Sequence, residues 1–218
     1  MGWVAIVPAA GSGTRLGSAA PKALVAFGGT TLLLRALELL RSVPFERIVV
    51  AGPPGRLRDV EALLGASESA VAGGATRSES VRLAFAALAP SPGDVVCVHD
   101  AARPFVTREE AEGVMRAAER DGAAIAATPI VDTVKRVEAG RVVETVDRRG
   151  LWAAATPQAF REDILRRALE GGDGTDEAVL CERMGIPVSI SPISRKGFKI
   201  TTPEDLELAR AILSRERA

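Results

Sequence analysis

Arg15 and Lys22 flank a glycine-rich turn, a combination suited to binding phosphate. The turn, Ala9-Ala10-Gly11-Ser12-Gly13, follows a short apolar run from Val4 to Val7 that ends at Pro8. Small residues let a ligand approach the backbone, and successive free N–H groups in a tight turn form an anion nest. Two familiar phosphate loops do not fit. A P-loop has Gly-Lys followed by Ser or Thr, whereas Lys22 stands between Pro21 and Ala23. The dinucleotide fingerprint needs a glycine where Leu16 stands, and Gly17 comes one place late. The ordinary alternative is a surface loop with two solvated cations. A strand feeding the loop and a pair of cations bracketing Pro21 favour the phosphate site.

Ligands of open α/β sheets bind beyond the carboxyl ends of the strands. Beyond the other predicted strands stand Gly73-Gly74, Asp100 with Arg103, Asp132 with Thr133, and Lys199. The glycine pair invites close approach, as by a nucleotide base, and Ser80 could face the same pocket. Asp100 could hold a metal or a sugar hydroxyl, or cap a turn. Arg103 could bind phosphate, or form a surface ion pair worth at most ~1 kcal/mol. His99 reads as a structural or capping residue.

The elements that must position these residues alternate. Strands are predicted at Val4–Val7, Arg47–Ala51, Ser69–Ala72, Asp94–Val98 and Ala123–Thr128. Helices are predicted from Thr31, over 56–64, over Arg77–Leu88, and from the Thr107/Glu110 capping box to about Arg120. This rhythm implies an α/β fold, a mostly parallel, Rossmann-like doubly wound sheet flanked by helices. Thr133–Glu138 and Arg141–Val146 alternate instead around Ala139-Gly140, a β-hairpin arm at about 132–148 inserted in the core. A hairpin alone is marginal in water, so it must pack on its own core or on a second subunit. Helices then follow at Ala159–Leu169 and from Thr175-Asp176-Glu177 to Met184. Strands follow at Pro187–Ile190 and Phe198–Thr201, and Thr202-Pro203 starts a last helix to about Arg215.

The 218 residues fit a single domain spanning 1–218, and 47% hydrophobic residues can fill its core. With 28 basic and 28 acidic residues there is no basic field for nucleic acid. Aromatics make up 4% and tyrosine is absent, which argues against base-stacking surfaces. No apolar run approaches a membrane span or a signal-peptide core, so a cytoplasmic location is expected. Cys97 and Cys181 read as buried small hydrophobes. The lone histidine, His99, leaves no His-dependent triad and no zinc site. A divalent metal would rest on carboxylates and substrate phosphates, as Mg²⁺ does.

The string P-A-A-G-x-G-x-R-x-G followed by P-K resembles the loop of sugar-nucleotide pyrophosphorylases and cytidylyltransferases. Further along stand Val98-His-Asp-Ala-Ala-Arg-Pro, Asp132-Thr-Val-Lys-Arg, Thr145-Val-Asp-Arg-Arg-Gly-Leu-Trp, Ala155-Thr-Pro-Gln, Thr175-Asp-Glu-Ala and Lys199-Ile-Thr-Thr-Pro-Glu-Asp-Leu. In that order, over nearly the whole chain, they resemble the 2-C-methyl-D-erythritol 4-phosphate cytidylyltransferase family of the non-mevalonate isoprenoid pathway.

The resemblance implies that Arg15 and Lys22 stabilise the transition state. It places Ala9, Ala10, Gly11, Gly74, Ser80, Asp100 and Ala101 around CTP. It places Arg103, Thr133, Arg148, Thr156 and Lys199 around the methylerythritol phosphate. It further implies Mg²⁺, with Asp100 a possible ligand, and a homodimer in which the arm reaches a neighbouring subunit. One departure stands out. Family members often carry an acid after the glycine pair that reads the cytosine amine, and here that residue is Ala75. The competing readings are a cytidylyltransferase for a pentitol phosphate such as ribitol 5-phosphate, and a nucleotide-binding regulator without turnover. A glycosyltransferase fits poorly because no clear Asp-x-Asp motif is present.

Overall fold

The computed structural model describes residues 2–17 and 20–216. Ser18 and Ala19, inside the predicted phosphate loop, lie outside the described residues. The elements in chain order are β1 (Trp3–Pro8), β2 (Ala26–Phe27), β3 (Thr30–Thr31), α1 (Leu32–Ser42), β4 (Phe45–Gly52), α2 (Leu57–Glu61) and β5 (Glu68–Ala72). Then come α3 (Arg77–Leu88), β6 (Val95–Val98), α4 (Arg108–Asp121), β7 (Ala123–Pro129), β8 (Val134–Glu138) and β9 (Arg141–Val146). The chain ends with β10 (Trp152–Arg161), α5 (Glu162–Glu170), α6 (Glu177–Arg183), β11 (Ser189–Pro192) and α7 (Pro203–Glu216).

The main sheet has seven strands in the order β11-β7-β10-β6-β1-β4-β5. β1 pairs parallel with β4 and β6, β4 with β5, and β11 with β7. The chain moves from β1 outward to β4 and β5, then crosses back to β6 on the other side of β1. The carboxyl ends of β1 and β6 therefore form the point where the winding reverses, the usual ligand crevice of such sheets.

Strand alternation sends successive side chains to opposite faces. Ala5 and Val7 of β1 pack with Leu33 and Leu37 of α1 and Val114 and Met115 of α4. Val4 and Ile6 pack on the other face with Val81 and Leu88 of α3, Leu165 of α5 and Leu180 of α6. Each fully buried Leu or Ile contributes ~1.5–3 kcal/mol of transfer free energy. The helix starts follow from their caps. Thr31 Oγ1 accepts from Leu34 N at 3.1 Å, and Thr107 with Glu110 closes the predicted capping box. Both cysteines are buried and free, as expected.

A third cluster joins Leu16, Phe27, Phe105 and Ile200 to Leu206 and Leu213 of α7. Phe27 and Phe105 meet edge to face at 5.9 Å. This cluster seats the phosphate loop, through Leu16, against the last helix.

Two expectations are corrected. The helix predicted at Ala159–Leu169 begins at Glu162, and its first residues belong to β10, which runs antiparallel to both β6 and β7. Pro157 and the alanines of Trp152–Arg161 gave no strand signal. The strand accommodates them where its register shifts between Ala154 and Gln158. The strand predicted at Phe198–Thr201 is an irregular stretch after a 3-10 turn at Arg195–Gly197. Phe198 and Ile200 face the third cluster, and Ile200 N donates to Ala102 O at 2.9 Å.

The hairpin forms as its own two-stranded sheet, β8-β9, with positive φ at both Ala139 (46°) and Gly140 (76°). Two consecutive left-handed residues match the turn that follows strand twist. Lys135 with Thr145 and Arg136 with Glu144 pair across it. No helix among the described residues is long and apolar enough to cross a membrane.

Candidate active site

A cleft of about 550 Å³ opens at the winding-reversal point, lined by Pro8 to Arg15, Lys22, Gly74 to Arg77, Ser80, Asp100 to Ala102, Lys199 and Thr201. The loop after β1 forms one wall. Ala9 N donates to Ala51 O at 2.8 Å, which extends the sheet pattern one step past the strand. The chain then turns at Gly13, with φ 71°, and Lys22 N returns to Gly11 O at 3.2 Å. A Cβ on Gly13 would stand 2.7 Å from the Lys22 Cβ, so the missing side chain is what lets Lys22 close against the loop. Beside Gly11, a Cβ would meet nothing within 4 Å. That bare position leaves room in the cleft rather than relieving a clash.

The opposite wall comes from β5, α3 and β6. A Cβ on Gly73 would stand 2.4 Å from the Ala10 Cβ, so this glycine lets the two walls touch. Gly74 N donates to Ser80 Oγ at 3.1 Å, and Ser80 Oγ donates to Thr76 O at 2.9 Å. Glu79, one turn into α3, accepts from Ala75 N at 2.6 Å. Glu79 thus caps the turn at Ala75 from the helix and does not line the cleft.

Asp100 is the charged centre of the cleft. Its Oδ2 lies 2.6 Å from Lys199 Nζ and its Oδ1 accepts from Arg77 Nε at 3.2 Å. Burial works against its charge, but Arg77 and Lys199 outweigh burial and hold the carboxyl far below the usual range. Its backbone N–H donates to Thr156 Oγ1 at 2.9 Å. Thr156 Oγ1 in turn lies 3.2 Å from His99 Nδ1. Burial drives the His99 pKa down to about 4, so the imidazole is neutral. The buried neutral ring thus packs beneath Asp100 through Thr156.

Lys22 sits among like charges. Burial, then repulsion from Lys199 and Arg15, lower its pKa to about 8 against the pull of Asp100. A lysine poised to gain from an arriving anion is what a triphosphate site needs.

The cleft thus gathers Arg15, Lys22, Ala9, Ala10, Gly11, Gly74, Ser80, Asp100, Ala101 and Lys199 from the expected set. It does not gather the remainder. Thr156 is 4% exposed and lies beneath the wall, its hydroxyl engaged by Asp100 and His99. Arg103 turns away to donate to Gly197 O at 2.8 Å. Thr133 and Arg148 are exposed at the arm, where Arg148 bonds Val131 O. Sequence reading missed Arg77 and Glu177. Arg77 looked like an ordinary first-turn residue of α3, and Glu177 like part of a helix start. Their pairing depends on α6 and α3 reaching the same face of the sheet.

The chain is similar to known proteins over nearly its whole length. The sequence model of the family 2-C-methyl-D-erythritol 4-phosphate cytidylyltransferase matches residues 3–215. A relative of that name from Frankia casuarinae is 49% identical over 217 residues, covering 97% of this chain and 81% of the relative. A bifunctional enzyme IspD/IspF from Anaeromyxobacter dehalogenans is 45% identical over 223 residues, covering 96% of this chain and 56% of its own length. A crystal structure of 4-diphosphocytidyl-2C-methyl-D-erythritol synthase superposes with a TM-score of 0.85 at 31% identity, covering 97% of this chain and 98% of that one. The Thermus thermophilus 2-C-methyl-D-erythritol 4-phosphate cytidylyltransferase gives 0.80 at 36% identity, covering 96% and 98%. Fold and sequence converge: the chain belongs to the 2-C-methyl-D-erythritol 4-phosphate cytidylyltransferase family.

Proposed function

We propose that the chain performs its family's reaction within the cleft around Asp100. The cytidylyl group of CTP passes to 2-C-methyl-D-erythritol 4-phosphate, giving 4-diphosphocytidyl-2-C-methyl-D-erythritol and pyrophosphate. The carrying observation is the convergence of Arg15, Lys22 and Lys199 on one cleft that also holds Asp100.

A phosphate oxygen of the acceptor attacks the α-phosphorus in line. The new P–O bond forms as the bond to the bridging oxygen of the β-phosphate breaks, and pyrophosphate departs with that electron pair. A phosphate monoester is ionised at neutral pH, so its oxygen needs no general base. This suits a site whose one nearby imidazole is buried and neutral. The loop from Ala9 to Gly13 wraps the triphosphate, and Gly74 and Ser80 flank the base. Arg15 and Lys22 face the charge that grows at the α-phosphorus, in a preorganised site where such groups count for more than in water. Lys199 receives the acceptor phosphate.

The residues fit Mg²⁺. Asp100 is ionised, lines the cleft, and two ion pairs use only part of its lone-pair capacity. Among the described residues no cluster of three or more His, Cys, Asp or Glu could hold a metal. One carboxylate plus substrate phosphates is an ordinary Mg²⁺ environment. The ion would offset phosphate charge while Asp100 anchors it.

The arm is read as a dimer element. Val137, Val142 and Val143 are each more than half exposed, and β8 and β9 pair only with each other. A second copy covering those valines would bring Thr133 and Arg148 to the neighbouring cleft.

Lys22→Ala tests the division of labour. A fall in kcat of ~10²–10³-fold is expected, as for loss of one preorganised oxyanion donor. A change confined to the acceptor KM would move Lys22 from catalysis to acceptor binding.

A further inference from the structure

Arg77 stands between two carboxylates. Nε reaches Asp100 Oδ1 at 3.2 Å, while Nη1 reaches Glu177 Oε1 at 2.7 Å and Oε2 at 3.0 Å. Glu177 is 1% exposed and does not line the cleft. Its backbone is held separately: Gln158 Oε1 accepts from the N–H groups of Glu177 and Ala178 at 3.2 and 3.3 Å. Gln158 is itself tied to Asp176 Oδ2 at 2.8 Å. The charges therefore alternate along a line, Glu177, Arg77, Asp100, Lys199, from the interior of α6 to the open cleft.

A buried carboxylate is costly unless it is paired, and a hydrophobic residue of similar volume would often be as stable there. Stability alone thus gives a weak reason for Glu177. Geometry gives a stronger one. The planar guanidinium fixes both carboxylates at once, which a lysine point charge cannot do. Held by Glu177, Arg77 stays at the cleft wall with its Nε on Asp100, and Asp100 keeps one orientation when Lys199 leaves it for the acceptor.

We propose that Glu177 and Arg77 are positioning residues for nucleotidyl transfer, acting through Asp100 and, beyond it, Lys199. This rests on the reading of Asp100 as part of the reacting site. Glu177 does not line the cleft, and Arg77, at the cleft wall, carries its guanidinium on the two carboxylates. Their contribution is the orientation of Asp100 when its partner Lys199 is drawn away.

The test uses the full chain, with E177Q, R77K and D100N compared with the parent. In E177Q the amide oxygen still accepts from Arg77, and the Gln158 contacts to the backbone remain, so the fold has what it needs. Two readouts are taken. Steady-state kinetics should show kcat lowered ~10–100-fold in E177Q and R77K, the scale of a small misplacement, with the KM for CTP changed less than ~3-fold. Without substrates, acylation of Lys199 followed by peptide mass should run faster in both, approaching its rate in D100N, because a loosened Asp100 holds the amine less firmly. Parental kcat in E177Q and R77K beside an impaired D100N would overturn the proposal. So would a kcat loss without faster labelling of Lys199, since the effect would not pass through Asp100. A D100N variant with parental kinetics would overturn the reading of Asp100 itself, and this inference with it.

Discussion

Lys199 Nζ rests 2.6 Å from Asp100 Oδ2, so the lysine assigned to the acceptor is already paired before any substrate arrives. The pair bridges the end of β6 and the stretch before α7, held there by Ile200 N on Ala102 O. An incoming phosphate competes with Asp100 for one amine, and Arg77 remains to keep Asp100 charged. Lys199→Ala should therefore raise the acceptor KM, by ~10-fold or more if a charge-assisted contact of ~1.5–3 kcal/mol is lost. The KM for CTP should change much less. An equal rise in both constants would mean that Lys199 serves the nucleotide.

Lys22 makes a prediction about pH. Its pKa in the folded protein is about 8, below the 10.5 of an ordinary lysine, because of burial and then Lys199 and Arg15. The free enzyme loses the charge as pH rises through 8, so kcat/KM for CTP should fall on that alkaline limb. Stability moves the other way. Between pH 8 and 10.5 the unfolded chain binds more protons at this site, so Lys22 favours folding increasingly as pH rises across that window. Rate profiles and denaturant melts at pH 7, 8 and 9 read the two effects separately. An unchanged kcat/KM through pH 9 would contradict the assignment.

Gly13 and Gly11 should respond differently to alanine. At Gly13 the backbone is left-handed and a Cβ would strike the Lys22 Cβ at 2.7 Å. Gly13→Ala should cost ~1–3 kcal/mol in stability and most of the activity. Gly11→Ala has open space around the new carbon. It should leave stability within ~0.5 kcal/mol and raise the KM for CTP by crowding the cleft. Matching losses in the two variants would show that loop packing, not cleft room, governs both.

The arm predicts an assembly. Replacing Val142 and Val143 by Ser should shift the protein toward monomer in sedimentation while leaving the melting of the seven-stranded core unchanged. If the arm completes a neighbouring site, acceptor turnover should fall in step with dissociation. A parent protein that sediments as a monomer at micromolar concentration would remove the partner's contribution.

Local chemistry made much of this molecule legible in the sequence. Helix starts at Thr31, Thr107 and Thr202 carry their own capping residues, and the Ala139-Gly140 turn announces the hairpin. The phosphate loop was visible because its glycines and cations lie within a few residues of one another. β10 was not, because a strand with Pro157 and a run of alanines carries no local preference; its neighbours β6 and β7 impose the extended form. The same holds for Arg77 and Glu177, which meet only when α3 and α6 are brought to the same face of the sheet. Thr156 and Arg103 occupy motifs that resemble the family's, but their side chains are engaged within this subunit, which no spacing rule foresees.

The most direct measurement is pyrophosphate release from CTP with Mg²⁺, with 2-C-methyl-D-erythritol 4-phosphate and, in parallel, ribitol 5-phosphate as acceptor. The account predicts release that depends on the methylerythritol compound and is lost in Lys22→Ala. Release with ribitol phosphate alone, or CTP binding with no release from either acceptor, would contradict it.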